Sequence, residues 1–151
     1  MAPAATTVHA SAVLVGARAV LIRGPSGAGK SRVALDLIQA RTNAIFVRLV
    51  GDDRVYLEPA HGRLLVRPAE ALAGLIEVRG VGVLRLPHEP RAVVGLVVDL
   101  AAADADRMPD LQQRQTTIDG ILLPRLAVAA GSAALPAVLA LLTSAGAAGA
   151  V

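Results

Sequence analysis

Apolar residues arrive in short runs broken by glycine, proline and single charges, the rhythm of strands joined by hairpin-length connections. Val8 to Val15 reads as a strand, and Arg18 to Arg23 as a second one after a turn at Gly16-Ala17. The period then changes. From Ser31 to Gln39 the apolar positions Val33, Ala34, Leu37 and Ile38 share one helical face, with Asp36 and Gln39 off it. Ala44 to Val50 reads as a strand ending at Gly51-Asp52-Asp53, and Arg54 to Leu57 continues extended. His61-Gly62 marks a hairpin turn into Arg63 to Val66, and Pro68 to Leu72 a short helical turn. Leu75 to Leu86 carries two glycines and reads as a bent strand or a strand–turn–strand. Ala92 to Leu100 is a strongly apolar strand, followed by an acidic, Pro-containing loop at Ala101 to Asp110. Ile118 to Leu123 and Arg125 to Ala129 read as short strands split by Pro124, and Pro136 to Ser144 as a helix. With no repeat and no long linker, the pattern predicts one α/β domain over residues 1–151, strand-rich with few helices.

Composition narrows this picture. A hydrophobic fraction of 54% and a mean hydropathy of +0.58 exclude disorder as the main state. The absence of cysteine excludes disulfides and thiolate metal sites, and suits a reducing cytoplasm, the location expected here. Phe46 and Tyr56 are the only aromatic residues, too few for a base-stacking platform, and the net charge of +3 is scattered rather than clustered. No nucleic-acid partner is expected. Met1 to Val8 lacks the basic start of a secretory signal. Leu126 to Val151 has no charged residue, but it is mostly Ala, Gly and Ser and is interrupted by Pro136. The reading is a terminal helix with a frayed tail over 145–151 rather than a membrane span.

The strongest chemical signal is Gly24-Pro25-Ser26-Gly27-Ala28-Gly29-Lys30-Ser31, a complete G-x-x-x-x-G-K-[ST] loop between a strand and a helix. Glycines at 27 and 29 let the backbone curl so that successive N–H groups face phosphate oxygens, and the helix N-terminus adds a favourable dipole. Lys30 would reach the terminal phosphates and Ser31 a magnesium ion, so ATP and Mg²⁺ are the expected cofactors. Lys30 is also the single lysine among 15 basic Lys and Arg side chains. A loop closing round phosphates accepts a compact ammonium more easily than a planar guanidinium.

Such a loop needs a carboxylate at a strand end. By pattern alone Asp52 and Asp53 compete with Asp99, and adjacent acids can divide metal binding from proton acceptance. Glu77 and Arg79 alternate with apolar neighbours, and Gly80 and Gly82 would admit a ligand or another backbone; an edge-strand salt pair with a bulge reads equally well. His61 and His88 are expected to face solvent. His9 could serve core or site, and Arg107 reads as a solvated loop residue.

Taken in order, Val8-His9-Ala10, the loop Gly24 to Ser31, Val50-Gly51-Asp52-Asp53-Arg54-Val55 and Leu75-Ile-Glu-Val-Arg-Gly-Val-Gly-Val83 resemble the catalytic domain of HPr kinase/phosphorylase, in a short form without the usual N-terminal domain. The resemblance implies a phosphate-loop domain of the phosphoenolpyruvate carboxykinase type. It implies an ATP- and Mg²⁺-dependent kinase acting on a serine of a small HPr-like phosphocarrier protein, with homo-oligomers as the family's habit. It also implies roles: Lys30 on phosphate, Asp52 as general base with Asp53 beside it, Ser31, Glu77 and Asp53 on the metal, and His9 and Arg107 as further catalytic residues. Asp99 becomes a structural strand end. Two departures stand out. Arg41 to Ala44 holds a small insertion, and Ala127 to Ala133, where the family is basic, carries no charge, so efficient phosphorolysis is not expected. A small-molecule kinase and a non-enzymatic nucleotide sensor are the other classes the loop alone allows.

Overall fold

The protein is described here by a computed structural model covering residues 6–40 and 46–144. The expected insertion at Arg41 to Ala44, the start of the strand expected at Ala44, and the tail from 145 lie outside the described residues. Ten strands and two α-helices follow in the order β1 (Val8–Val15), β2 (Arg18–Arg23), α1 (Lys30–Ala40), β3 (Val47–Gly51), β4 (Arg54–Ala60), β5 (Arg63–Pro68), β6 (Leu75–Val78), β7 (Gly82–Arg85), β8 (Ala92–Leu100), β9 (Gln115–Ile118), β10 (Ile121–Val128) and α2 (Leu135–Thr143). A 3₁₀ turn occupies Glu70–Leu72. This is the expected strand-rich α/β architecture, with one mixed eight-stranded sheet and a separate β6–β7 hairpin. Among the described residues no helix is long and apolar enough to cross a membrane.

The main sheet closes on itself. β1 pairs antiparallel with β2, β2 parallel with β8, β8 antiparallel with β5, β5 with β4, and β4 back with β1. Alternate side chains of each strand therefore enter two different cores. Ala19 and Leu21 of β2 face inward with Val55, Leu64, Val66 and Val97. Val20 and Ile22 face outward against Val33, Ala34 and Leu37 of α1 and Val138 of α2. Burial on both faces explains why β2 and β8 read as continuous apolar runs rather than as alternation.

Two expectations about the C-terminal third are corrected. Pro124 does not split a strand: β10 runs unbroken from Ile121 to Val128. Its first half pairs with β9, ending at Pro124 opposite Gln115, and its second half pairs with β8 from Arg125 onward. A residue without an N–H sits where the ladder changes partner, so little hydrogen bonding is lost. The expected strand from Ile118 to Leu123 crosses a turn, because Asp119 (φ 48°) and Gly120 (φ 79°) form the two-residue hairpin between β9 and β10. His88, expected in solvent, is partly buried, its ring packed so close to Gly74 that a Cβ there would lie 2.8 Å from Nδ1.

Candidate active site

β2 delivers the chain to the glycine loop, and α1 carries it away. Gly27 and Gly29 adopt φ of 83° and 96°, left-handed conformations that side chains rarely tolerate. The Ala28 N–H donates to the Pro25 carbonyl at 3.0 Å, and the Val33 N–H donates to Gly29 at 3.0 Å, opening the helix. Gly24 is required for a different reason: a Cβ there would lie 3.1 Å from the Leu100 Cβ and 3.2 Å from its carbonyl oxygen. The start of the loop thus rests directly on the end of β8. The Lys30 ammonium folds back over the loop, donating to the carbonyls of Gly24 at 2.9 Å and Pro25 at 3.2 Å.

Beneath the loop lies Asp52, 3% exposed. A buried carboxylate must be hydrogen-bonded, and this one is fully engaged. Ser11 donates to Oδ1 at 2.6 Å, Ser31 Oγ lies 2.8 and 2.9 Å from the two oxygens, and the Glu77 N–H reaches Oδ2 at 3.3 Å. Four chain segments meet on one side chain. Asp53 turns the other way. Its φ of 68° breaks the line between β3 and β4, and its carboxylate stands 65% exposed, 4.0 Å from His9 Nδ1.

Above these residues opens a cleft of about 1160 Å³. The glycine loop, Lys30 and Ser31 form one wall; His9 and Asp53, together with Glu77, Arg79, Gly80 and Gly82 of the β6–β7 hairpin, also line it. The sequence-selected residues converge here with three exceptions, and the first is Ala28 of the glycine loop, which packs against the buried core. Asp52 lies under the cleft rather than in its lining, and Arg107 lies on the exposed loop after β8, outside the lining. Glu77 and Arg79 both line the cleft, and among the described residues neither forms an ion pair.

The donors suit a hard cation. Magnesium is commonly held by one or two carboxylates together with phosphate oxygens and water rather than by an all-protein cage. Ser31, Asp53 and Glu77 present oxygen atoms that would serve as ligands in the same cleft, while no group of three or more His, Cys, Asp or Glu side chains converges among the described residues.

Asp99, the rival carboxylate by sequence, is occupied elsewhere. It accepts from Arg23 Nε at 2.7 Å and from Arg125 Nε at 2.6 Å. Burial acts to raise its carboxyl, but the two guanidiniums outweigh burial and hold it below the ordinary aspartate range. Asp104 is held below its ordinary value by its hydrogen bonds from Arg125, whose own guanidinium is raised in return, first by Asp104 and then by Asp99. Sequence reasoning missed this cluster, and it missed Ser11. For Ser11 a signal existed: it is the one hydroxyl in the interior of an otherwise apolar Ala10 to Val15 run.

Comparison with known proteins agrees with this fold. The family model described as HPr Serine kinase C-terminal domain matches residues 1–133. HPr kinase/phosphorylase of Geobacillus thermodenitrificans is 34% identical over 137 residues, covering 82% of this chain and 42% of that protein. That of Limosilactobacillus reuteri is 31% identical over 134 residues, covering 81% of this chain and 40% of that protein. The chain therefore spans less than half the length of these curated relatives. The solved HPr(Ser) kinase/phosphatase of Coxiella burnetii superposes with a TM-score of 0.69 at 25% identity, over 89% of this chain and 91% of that one. Matched fold, matched length of domain and the ordered motifs lead to one conclusion: this chain belongs to the HPr serine kinase C-terminal domain family.

Proposed function

We propose that this protein is an ATP- and magnesium-dependent kinase that phosphorylates a serine on a small HPr-like phosphocarrier protein. The observation that carries the reading is the cleft itself: a full phosphate loop faces Glu77 and Arg79, with Asp52 hydrogen-bonded beneath Ser31. A nucleotide sensor needs the loop but has no use for a carboxylate and a second charged wall.

In the proposed reaction the partner's serine Oγ bonds to the γ-phosphorus, the bond from that phosphorus to the β–γ bridging oxygen breaks, and ADP leaves. Lys30 exchanges the carbonyls of Gly24 and Pro25 for phosphate oxygens, to which its charge binds more strongly. The loop N–H groups hold the same phosphates in line for attack. Ser31, Asp53 and Glu77 would hold the magnesium ion, which neutralises phosphate charge when bound. Asp52 takes the serine proton once rotation of the Ser31 hydroxyl uncovers its carboxylate. His9, beside Asp53 in the cleft, is a further catalytic residue of this reading, and Arg107, on the loop after β8, would bring positive charge to the transferring group once its side chain turns toward the glycine loop. The uncharged Ala127 to Ala133 segment favours the forward direction over phosphorolysis.

The test is a transfer assay with purified protein, Mg²⁺-ATP and the HPr-like protein of the same cell. Phosphoserine is expected, and its absence sinks the reading. Asp52→Asn keeps an acceptor for Ser11 and Ser31, so nucleotide affinity should change little while turnover falls by roughly 10²–10⁴. Equal loss of binding and turnover would instead favour a sensor.

A further inference from the structure

Asp99 belongs to a four-residue ionic strut that the reaction does not use. Arg23, the last residue before the glycine loop, grips Asp99 with two hydrogen bonds of 2.7 and 2.9 Å. Arg125 adds a third to Asp99 at 2.6 Å, and the far side of its guanidinium leaves the sheet to grip Asp104 at 2.7 and 3.0 Å. Arg125 also donates from Nη1 to the Gln113 carbonyl at 3.1 Å, and from its main-chain N–H to the Arg114 carbonyl at 2.8 Å. One side chain therefore ties the end of β8 to both arms of the loop between β8 and β9. The four charges cancel, so the cluster is not built to take an anion. Only a planar fork can bridge two carboxylates in this way; a lysine offers a point charge.

Besides the strut, the loop is tethered by the Ala102 N–H, which donates to the Val128 carbonyl at 2.9 Å, and by Gln113 Nε2, which donates to the Asp104 carbonyl at 2.8 Å. It exposes Met108 and Leu111, 82% and 64% accessible, and buries no large apolar side chain. Yet it starts at Leu100, which abuts Gly24 of the phosphate loop, and it carries Arg107 three residues beyond Asp104. We propose that Arg125 and Asp104 are positioning residues: the strut fixes the loop, and Arg107 with it, to the strand ends that support the phosphate loop. This rests on the kinase reading above, in which Arg107 assists transfer.

Asp104→Asn cuts only the outer end of the strut, at a side chain 48% exposed, so the fold is kept. The turnover number for phosphoserine formation should fall roughly tenfold, because small misplacements of an assisting group are costly. Nucleotide affinity should stay within about twofold, and amide exchange over 101–114 should accelerate. In an Arg107→Ala background the same substitution should add less than about twofold, since Asp104 acts through Arg107. Arg125→Lys, which also cuts the bonds to Asp99 and Gln113, should lower the turnover number at least as far as Asp104→Asn and accelerate exchange over the same residues. An undiminished turnover number, or a full and independent loss on top of Arg107→Ala, overturns the proposal. A wild-type protein that forms no phosphoserine defeats the kinase reading instead. The strut is then judged by exchange alone, and unchanged exchange over 101–114 in Asp104→Asn overturns it.

Discussion

Asp52 concentrates at one residue what the site requires of its neighbours. It orients Ser31, the residue assigned to the metal, while Ser11 orients Asp52 from the opposite strand. Removing Ser11 should be felt although it touches no part of the cleft. A hydrogen bond to a buried charge is worth about 1.5–3 kcal/mol, so Ser11→Ala should lower unfolding stability by that amount, read as a lower urea midpoint at unchanged slope. A stability equal to that of the parent protein would show that Ser31 and the Glu77 N–H satisfy the carboxylate without Ser11. Lys30 makes the complementary point. Its ammonium is already held over the loop by two carbonyls, so in the proposed reaction phosphate would redirect a positioned charge rather than order a free one.

At the scale of elements, α1 holds the loop in place through its buried face. Val33, Ala34 and Leu37 pack onto β1, β2 and β3, while the other end of the same helix presents Lys30 and Ser31. Leu37→Ala should cost about 2–5 kcal/mol, and nucleotide affinity should weaken as the helix loosens; retained affinity in a destabilised protein would separate the two. This helix was legible because its 3.6-residue period and the glycine loop before it point the same way. The hairpin of β9 and β10 was not. Its turn at Asp119-Gly120 is the type of pair that marks a hairpin, but Pro124 drew the boundary instead, and only the change of ladder partner at that residue explains why β10 continues through it. Glu77 and Arg79 were legible as unusual and illegible as a pair facing one cleft, since alternation alone equally allows a surface salt bridge.

For the whole molecule, the closed strand ring and the strut across its end make acid stability depend on a few carboxylates. Asp99 has a folded value held below its unfolded one. Its contribution is therefore fully present above the unfolded pKa of about 3.9 and is lost as pH falls through the lower folded value. Melting temperatures measured from pH 7 down to pH 3 should fall more steeply below pH 4 for the parent protein than for Asp99→Asn. The gap between the two should narrow toward the acid end, and parallel curves would contradict the assignment. None of this was visible in the sequence, because Arg23, Asp99, Asp104 and Arg125 are brought together only by the parallel β2–β8–β10 order.

The pairing of β2 with β8 has a consequence for how the protein is made. The floor of the phosphate loop depends on a strand whose last contact, Arg23 with Asp99, joins residues 76 apart. A growing chain that has emerged as far as α1 and β3 holds every residue of the glycine loop and no surface to set it on. The site can be completed only once Leu100 has been synthesised, and until then the edge of β2 that β8 covers has no partner there.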